Sequence, residues 1–214
     1  MEKRNTSNPL VGISIGDLNG VGPEVTLKTF ADNRLLNYVT PVIYASAKTM
    51  SYFRKSLELD KFNYHQAKDI GQINPRKVNV INAWEDQVEI KSGSVTEEGG
   101  KYSAISLKRA SQDLKDGHLQ GIVTAPINKK NIQSEDFNFP GHTEFFTDYF
   151  EAGETLMMLV SDELKVGVVT GHIPLKRVVD QVTKERLTKK LKSMESSLKR
   201  DFGISKPRIA VLGL

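Results

Sequence analysis

Short apolar runs rich in valine and isoleucine alternate with amphipathic segments along most of this chain, and that alternation limits the fold more than any other feature. Apolar runs of this length predict strands that are buried on both faces. Strands that alternate with helices predict a mainly parallel sheet with helices on both sides, a three-layer α/β/α arrangement. The predicted strands cover residues 10–15, 39–45, 78–82, 121–125, 156–161, 166–170 and 209–212.

Amphipathic helices are predicted between the strands. Residues 100–116 carry apolar residues at helical spacing and meet Gly117, a residue type that commonly ends helices. The runs at 156–161 and 165–170 are joined by a short polar connection, which predicts an antiparallel hairpin. The α/β fold is therefore expected to have a mixed, mostly parallel sheet. The other predicted helices cover residues 23–30, 48–57, 142–150 and 184–202.

The composition excludes several classes of protein. The 214 residues include no cysteine, so a disulfide framework, a thiolate metal site and a cysteine nucleophile are all excluded. The first residues are polar and lack the apolar stretch of a signal peptide, and no run approaches the roughly 20 apolar residues that span a bilayer. We therefore expect a cytoplasmic protein without a membrane partner, in which any metal is held by histidine, carboxylate or carbonyl groups.

Positive charge is concentrated near the end of the chain. Residues 165–214 contain 12 Lys/Arg against 4 Asp/Glu, within a net charge of +4 for the whole chain. A basic segment is one signature of nucleic-acid binding. Here the cations fall on the polar side of a predicted helix whose other side carries Leu187, Leu191 and Leu198. A solvated helix face explains the charge, so no nucleic-acid partner is predicted.

A glycine-rich segment, Gly-Asp-Leu-Asn-Gly-Val-Gly-Pro-Glu at residues 16–24, follows the first predicted strand and leads into a helix. Glycines there allow a ligand close to the backbone, and the N-terminus of the following helix favours anions. The spacing matches neither a dinucleotide-binding motif nor a P-loop. A purely structural turn is the alternative explanation, while Asp17 and Glu24 favour binding. Asp17 is the candidate contact for a substrate or cofactor.

Lysine and histidine side chains mark further turns beside the strands. Lys129 ends the segment Thr-Ala-Pro-Ile-Asn-Lys at the carboxyl end of a strand, where open α/β sheets bind ligands; a solvated lysine is the alternative. His142 starts a predicted helix and His172 follows a strand, and each is either a ligand-binding or a buried structural histidine. His65 and His118 are predicted to be surface residues. The residues alone indicate a small-molecule enzyme with an anionic substrate, with or without a metal.

Four motifs in this order resemble the 4-hydroxythreonine-4-phosphate dehydrogenase family of vitamin B6 biosynthesis. They are Gly-Asp-x-x-Gly-x-Gly-Pro-Glu, Thr-Ala-Pro-Ile-Asn-Lys, Phe-Pro-Gly-His-Thr-Glu and His-Ile-Pro-Leu, and the resemblance runs from Leu10 to the last residue. It implies a homodimer with the fold of isocitrate and isopropylmalate dehydrogenases, in which each subunit has two α/β/α domains. It also implies NAD or NADP as cofactor and a divalent metal such as Zn, Mg or Co.

The resemblance further implies a reaction and its site residues. Family members oxidise the C3 hydroxyl of 4-phosphooxy-L-threonine, and the resulting β-keto acid loses carbon dioxide to give 3-amino-2-oxopropyl phosphate. His142 and Thr143 match the family's substrate-binding pair, and His172 matches one of its three metal-binding histidines. Such a metal would polarise the substrate hydroxyl and stabilise the developing alkoxide.

Three departures from the family pattern are found in this sequence, and only the third removes site residues. Leu18 and Asn19 stand where the family usually has proline and a small residue, and Gly171 stands where a threonine commonly precedes the metal-binding histidine. The family also continues beyond Leu214 with further metal-binding histidines and with substrate-binding Lys, Asn and Arg. Residues 1–214 are therefore expected to be the N-terminal portion of a two-domain subunit, and by themselves to bind metal weakly and to be inactive.

Three alternatives stay open on the sequence. A sister dehydrogenase of the same family, acting on threonate or erythronate 4-phosphate, shares these motifs. A phosphate acyltransferase of related layered architecture would use coenzyme A and no nicotinamide, and the His-Ile-Pro-Leu turn argues against it. A non-catalytic protein that only dimerises or binds ligand would retain phosphosubstrate binding without turnover.

Overall fold

The computed structural model describes residues 8–171 and 173–213, and the chain divides into two compact units between Pro140 and Gly141. No helix in these described ranges has both the length and the apolar character needed to cross a membrane. The first unit contains β1 (Leu10–Ser14), α1 (Gly22–Phe30), β2 (Thr40–Ala45), α2 (Ala47–Ser56), β3 (Tyr64–Ala67), β4 (Val78–Asn82), α3 (Glu97–Lys115) and β5 (Gly121–Thr124). The second contains α4 (His142–Tyr149), β6 (Met158–Val160), β7 (Lys165–Gly167), α5 (Val178–Gln181) and α6 (Lys184–Arg200).

Within the described residues, the sheet of the first unit has five parallel strands in the order β3-β4-β2-β1-β5. β1 lies between β2 and β5, with Gly12 opposite Val42 on one side and Ile122 on the other. Strands β2, β3 and β4 all lie on one side of β1. The chain then crosses through α3 and adds β5 on the other side. The loops that follow β1 and β5 therefore meet where the direction of winding changes. The predicted mostly parallel sheet is confirmed.

The apolar pattern missed β3, whose sequence Tyr-His-Gln-Ala is too polar to predict a strand. β3 lies at an edge of the sheet and pairs with β4, with Tyr64 opposite Val78. An edge strand is partly exposed and tolerates polar side chains. His65 lies on this edge, where its Nε2 is 2.9 Å from the Gln72 carbonyl oxygen.

Both faces of the parallel sheet are buried at its central strands. Leu27 of α1 and Met50 of α2 pack on one face with Ile43 of β2. Ala110 of α3 packs on the other face with Val42 of β2. Neighbouring residues of β2 thus face opposite cores, which is why this strand is buried along its whole length. The helices on both sides form the three layers that the sequence predicted.

Helix α3 is fastened to the sheet by buried polar groups as well as by apolar contacts. The Ser106 hydroxyl donates to the Tyr44 carbonyl oxygen at 2.6 Å and accepts from the Ile15 N–H at 3.1 Å. Nearer the end of the helix, the Tyr44 hydroxyl donates to the buried Asp113 carboxylate at 2.7 Å, and Arg109 lies 3.7 Å from the same carboxylate. Burial, together with the Asp113 carboxylate, raises the pKa of Tyr44, so its phenol remains a donor at neutral pH.

The second unit contains the predicted antiparallel hairpin, with β6 and β7 shorter than the apolar runs of the sequence. Helix α6 packs closely on it, since a Cβ at Gly167 would lie 3.3 Å from the Met194 sulfur. Lys190 of α6 forms an ion pair with Glu154 and donates to the Thr155 carbonyl oxygen. These two polar contacts connect α6 to the segment that leads into the hairpin.

The predicted strand at residues 209–212 is wrong, because this stretch has no regular secondary structure. Val211 is 55% exposed and Leu212 is 91% exposed. A strand needs a neighbour to satisfy its backbone N–H and C=O groups. In the part of the chain that the structure describes, no strand pairs with this segment. The segment has the apolar residue types of a strand, but its composition carries no information about whether another strand is available to pair with it.

Replacing Tyr44 with phenylalanine is expected to destabilise the first unit. The change removes the hydroxyl that donates to Asp113 and leaves a buried carboxylate short of one donor, a loss of about 1–3 kcal/mol. Urea unfolding followed by circular dichroism measures this loss. Tyr38→Phe is the control, because Tyr38 is 76% exposed; its free energy of unfolding is expected to change by less than about 0.5 kcal/mol. Equal losses in the two variants would contradict the role given to the Tyr44 hydroxyl.

Acid is expected to weaken the contact between Glu154 and Lys190. The hydrogen bond from Lys190 lowers the pKa of Glu154 below its ordinary value of 4.5. A carboxyl group with a lowered folded-state pKa contributes stability that is complete above the unfolded-state pKa and is lost as the pH falls through the folded-state value. Between about pH 6 and about pH 3, the melting temperature should therefore fall further in the unchanged chain than in Lys190→Met.

The control for this pH series is Lys192→Met, which changes an exposed lysine of the same helix. Lys192→Met leaves the ion pair between Lys190 and Glu154 in place and is expected to keep the acid-induced loss of the unchanged chain. An equal loss in Lys190→Met would contradict the stabilising role of the ion pair.

Candidate functional site

The loops after β1 and β5 lie side by side at the carboxyl edge of the parallel sheet. Ser14, the last residue of β1, is opposite Thr124, the last residue of β5. Hydrogen bonds continue this pairing beyond the strands: the Ala125 N–H donates to the Ser14 carbonyl oxygen at 2.9 Å, and the Asp17 N–H donates to that of Pro126 at 3.0 Å. The glycine-rich segment and the Thr-Ala-Pro-Ile-Asn-Lys segment therefore form one continuous surface, at the edge where α/β sheets bind ligands.

Two glycines of the glycine-rich segment are required by this close approach. Gly16 has a φ of +68°, and a Cβ there would lie 2.2 Å from the Pro126 carbonyl oxygen. A Cβ at Gly22 would lie 2.0 Å from the Ile15 carbonyl oxygen. A side chain at either position would force the backbone apart. Packing of one backbone segment on another accounts for both glycines.

The Asp17 side chain is only 6% exposed. Its Oδ1 accepts from the Asn19 N–H at 2.8 Å, and its Oδ2 accepts from the Asn131 side-chain amide at 2.8 Å. A Cβ at Gly99, in the first turn of α3, would lie 2.6 Å from Oδ1. The positive end of the α3 dipole stabilises a carboxylate at this position. Both oxygens of this predicted ligand contact thus form hydrogen bonds within the protein.

Asn19 and Asn131, which no sequence motif marked as site residues, connect the two loops to the N-terminus of α3. The Asn19 side chain donates to the Thr96 hydroxyl at 2.9 Å and accepts from the Lys91 N–H at 2.7 Å. The Asn131 side chain donates to the Thr96 carbonyl oxygen at 2.9 Å. The available signal was residue type, because asparagine in a turn commonly bonds to backbone groups. We call Asp17, Asn19, Thr96 and Asn131 the loop cluster.

Lys129 is exposed on the loop between β5 and the end of the first unit. The Asn128 side chain accepts from the Lys130 N–H at 2.9 Å, and Gln133 donates to the Lys129 carbonyl oxygen at 3.2 Å. These bonds order the backbone on both sides of Lys129. Over the described ranges, the Lys129 ammonium has neither an ion pair nor a hydrogen bond. Its predicted contact with a substrate or cofactor stays a prediction, and its charge is available for one.

His142 and Thr143 begin α4 in the second unit, so the predicted helix start is confirmed. The His142 ring is half-buried and stacks on Phe146, with ring centroids 6.3 Å apart and an interplanar angle of 21°. The Thr143 side chain is exposed, while its carbonyl oxygen accepts from the Thr147 hydroxyl at 2.7 Å. The first turn of a helix offers N–H groups and positive potential to an anion. The predicted substrate-binding pair therefore lies where an anion is favoured.

His172, the predicted metal ligand, lies outside the described residues, and its role stays a prediction. Elsewhere, the structure brings three potential ligand side chains together, with donor atoms within 4.8 Å of one another: Asp113, Asp116 and His118. Tyr44 and Arg109 already contact the Asp113 carboxylate. This group also lies at the C-terminal end of α3, roughly 24 Å along the helix from the loop cluster. It does not fit the predicted metal centre.

Comparisons with known proteins agree on one family. Residues 37–214 match the model of the family described as pyridoxal phosphate biosynthetic protein PdxA. A Bacteroides thetaiotaomicron protein named 4-hydroxythreonine-4-phosphate dehydrogenase is 42% identical over 205 residues, which are 95% of this chain and 56% of that protein. An Oceanobacillus iheyensis protein named provisionally as a D-threonate 4-phosphate dehydrogenase is 29% identical over 211 residues, which are 98% of this chain and 63% of that protein. The chain thus spans less than two thirds of these relatives.

The fold is similar to that of a solved crystal structure of 4-hydroxythreonine-4-phosphate dehydrogenase from Klebsiella pneumoniae. The two share 26% sequence identity and a TM-score of 0.79, over 97% of this chain and 64% of that chain. This similarity confirms the predicted α/β fold class, which is that of isocitrate and isopropylmalate dehydrogenases.

Replacing Gly16 with alanine is expected to separate the paired loops at the carboxyl edge of the sheet. The free energy of unfolding should fall by about 3 kcal/mol or more, because a strained φ and a backbone clash act together. The matched control is Gly93→Ala: Gly93 has a φ of +78°, and a Cβ there meets nothing within 4 Å. The control should lose only the strain term, about 1–2 kcal/mol. Equal losses in chemical unfolding would contradict the close approach to Pro126.

Proposed function

Because this chain belongs to the family of pyridoxal phosphate biosynthetic protein PdxA, we propose that it carries part of the active site of an NAD- or NADP-dependent dehydrogenase for 4-phosphooxy-L-threonine. The C3 hydrogen would leave as hydride to a bound nicotinamide, and the C3 hydroxyl would lose its proton to become a ketone. The resulting β-keto acid would lose carbon dioxide, and the carbon that carried the carboxylate would take up a proton to give 3-amino-2-oxopropyl phosphate. The observation that carries this proposal is the 42% identity to a relative named for that activity.

D-threonate 4-phosphate is the second candidate substrate. A relative provisionally named for that substrate covers 98% of this chain, but at 29% identity. The lower identity over a similar length favours 4-phosphooxy-L-threonine. The two substrates differ in one substituent, which is an amino group in 4-phosphooxy-L-threonine and a hydroxyl group in D-threonate 4-phosphate. Because the rest is alike, both would present a phosphate and a carboxylate to the same site.

His142 and Thr143 are proposed to bind the phosphorylated substrate. Stacking on Phe146 restricts the His142 ring, and the exposed Thr143 hydroxyl lies in the same helical turn. Both side chains are hydrogen-bond donors suited to phosphate or carboxylate oxygens. Holding the substrate in one pose lowers the entropic barrier to hydride transfer, because less freedom is lost in the transition state.

Lys129 is proposed as an anion contact of the first unit. Its ammonium is exposed, and its loop is ordered by the bonds of Asn128 and Gln133. A compact cation at the carboxyl edge of an α/β sheet suits a phosphate group of the substrate or of the cofactor.

His172 is proposed as one ligand of a divalent metal. A neutral imidazole suits zinc or cobalt well, and magnesium less well. The metal, when bound, would polarise the C3 hydroxyl and stabilise the alkoxide. The resemblance implies further metal-binding histidines, and the described residues offer no fitting group for them. We therefore propose that the 214 residues by themselves bind metal weakly and turn over little or no substrate.

Assembly and location are proposed from the same family membership. We propose a cytoplasmic homodimer that binds a phosphorylated small molecule, without a nucleic-acid or membrane partner. Light scattering of the purified chain tests the dimer. A strictly monomeric protein at all concentrations would contradict that part of the proposal.

Substrate binding is tested first with the His142 variant. Isothermal titration with 4-phosphooxy-L-threonine should show binding to the unchanged chain, and His142→Ala should weaken it by about tenfold or more, as expected for loss of a hydrogen bond to a charged group. His118→Ala is the matched control, because His118 is exposed and follows the C-terminal end of α3 in the first unit; the affinity of this variant should be unchanged. Tighter binding of D-threonate 4-phosphate would establish the second candidate instead.

Turnover is tested on the same protein, after intact mass confirms 23.9 kDa. Reduction of NAD and of NADP is followed with each phosphosubstrate, with and without added zinc, magnesium or cobalt. Little or no turnover is expected. Native-like, metal-dependent turnover would contradict the predicted inactivity and establish the dehydrogenase directly, whereas binding of neither phosphosubstrate would contradict the proposed function.

A further inference from the structure

The buried Asp17 carboxylate is a charged group that the proposed reaction does not use. Its oxygens accept from the Asn19 N–H and the Asn131 side chain, each at 2.8 Å. Its own backbone N–H donates to the Pro126 carbonyl oxygen at 3.0 Å. Pro126 and Asn131 stand on either side of Lys129 in the same loop. Asp17 therefore holds that loop at two points, one before and one after its exposed cation.

The far side of this loop is held against a rigid element. The Asn131 side-chain nitrogen donates both to Asp17 and to the Thr96 carbonyl oxygen, so both of its N–H groups are used. Thr96 is the N-cap of α3, and its hydroxyl accepts from the Gly99 N–H at 3.0 Å. A 19-residue helix packed on the sheet thus provides the fixed support for the loop.

We propose that Asp17 is a positioning residue that does not contact the ligand itself. Its part-buried hydrogen bond with Asn131, which we call the latch, holds Lys129 in place to bind an anionic group of the ligand. The proposal rests on the proposed function in one respect, which is that Lys129 binds an anion. A lysine on an unanchored loop would lose conformational entropy on binding, and a loop fixed at two points has already lost it on folding.

The negative charge of Asp17 supports this role over direct contact. A carboxylate facing a phosphate or carboxylate ligand would repel it. Burial at the first turn of α3 instead places the charge at the positive end of the helix dipole, 2.6 Å from where a Cβ of Gly99 would be. Hydrogen bonds to an ionised acceptor are also stronger than those to a neutral amide, so the latch is expected to need an aspartate.

The test measures binding of inorganic phosphate by NMR titration of the backbone amides of Ala125 and of residues 127–131. Four proteins are compared: the unchanged chain, Asp17→Asn, Lys129→Gln and the double variant. Each single change is expected to weaken phosphate binding by about tenfold, as for loss of a charged hydrogen bond. The double variant is expected to bind no more weakly than Lys129→Gln alone, because Asp17 acts through Lys129.

Amide hydrogen exchange gives a second readout that needs no ligand. Asp17→Asn is expected to speed exchange at Asn19 and Ile132, whose N–H groups are bonded in the two latched loops. Asp69→Asn is the matched control, because Asp69 also accepts a backbone N–H two residues on, from Gly71 at 2.9 Å, but in an exposed turn. It should leave phosphate affinity and the exchange of both reporters unchanged. Should Asp17→Asn fail to fold, Asn131→Ala breaks the same bond from the other side.

Three outcomes would overturn the proposal. Losses that add in the double variant would show that Asp17 affects phosphate by a route other than Lys129. Unchanged affinity or unchanged exchange in Asp17→Asn would show that there is no latch. Phosphate binding that does not depend on Lys129 would show that Lys129 is not the anion contact and that the latch positions no ligand-binding group. The titrations with His142→Ala would still test binding of the substrate in that case. Because none of these measurements uses turnover, they can contradict the latch proposal without contradicting the proposed dehydrogenase function.

Discussion

A carboxylate inside a protein raises the free energy of the folded state unless hydrogen bonds and nearby positive potential compensate it. The carboxyl edge of the first unit is organised around that compensation for Asp17. Asn19 and Asn131 supply the hydrogen bonds, and the first turn of α3 supplies the potential. The absence of a side chain at Gly99 lets the carboxylate approach the helix. The loops after β1 and β5 are held together because both contribute to the surroundings of one charge.

A second buried carboxylate, that of Asp113, lies near the C-terminal end of α3, where the helix dipole disfavours a negative charge. Asp113 is compensated there by the Tyr44 hydroxyl and the Arg109 guanidinium. The two ends of the helix thus have different functions. The C-terminal end anchors α3 to the sheet, and the N-terminal end supports the loops proposed to face a ligand. Because Asn131 is bonded to the N-cap residue of α3, a displacement of this helix would also move the loop that carries Lys129.

The sequence located the candidate loops because glycine, proline and charged residues interrupt long apolar runs there. It also placed the start of α4 correctly at His142, since Gly141 and Pro140 break the preceding segment. The errors share one physical origin. β3 is a strand despite its polar sequence because β4 provides an edge to pair with, and residues 209–212 are not a strand despite their apolar sequence because no described strand pairs with them. A pairing partner lies outside the segment itself and leaves no signal in the segment's own sequence.

By itself, the sequence determined the alternation of strands and helices, the turns that interrupt it and the motifs that identify the family, because each depends on neighbouring residues. Only the tertiary structure decided how the polar side chains in those turns are used. Asp17 had two open interpretations in the sequence, and its hydrogen bond to Asn131 joins residues 114 positions apart. A contact over that separation depends on how the sheet brings two strand ends together, which no local pattern specifies.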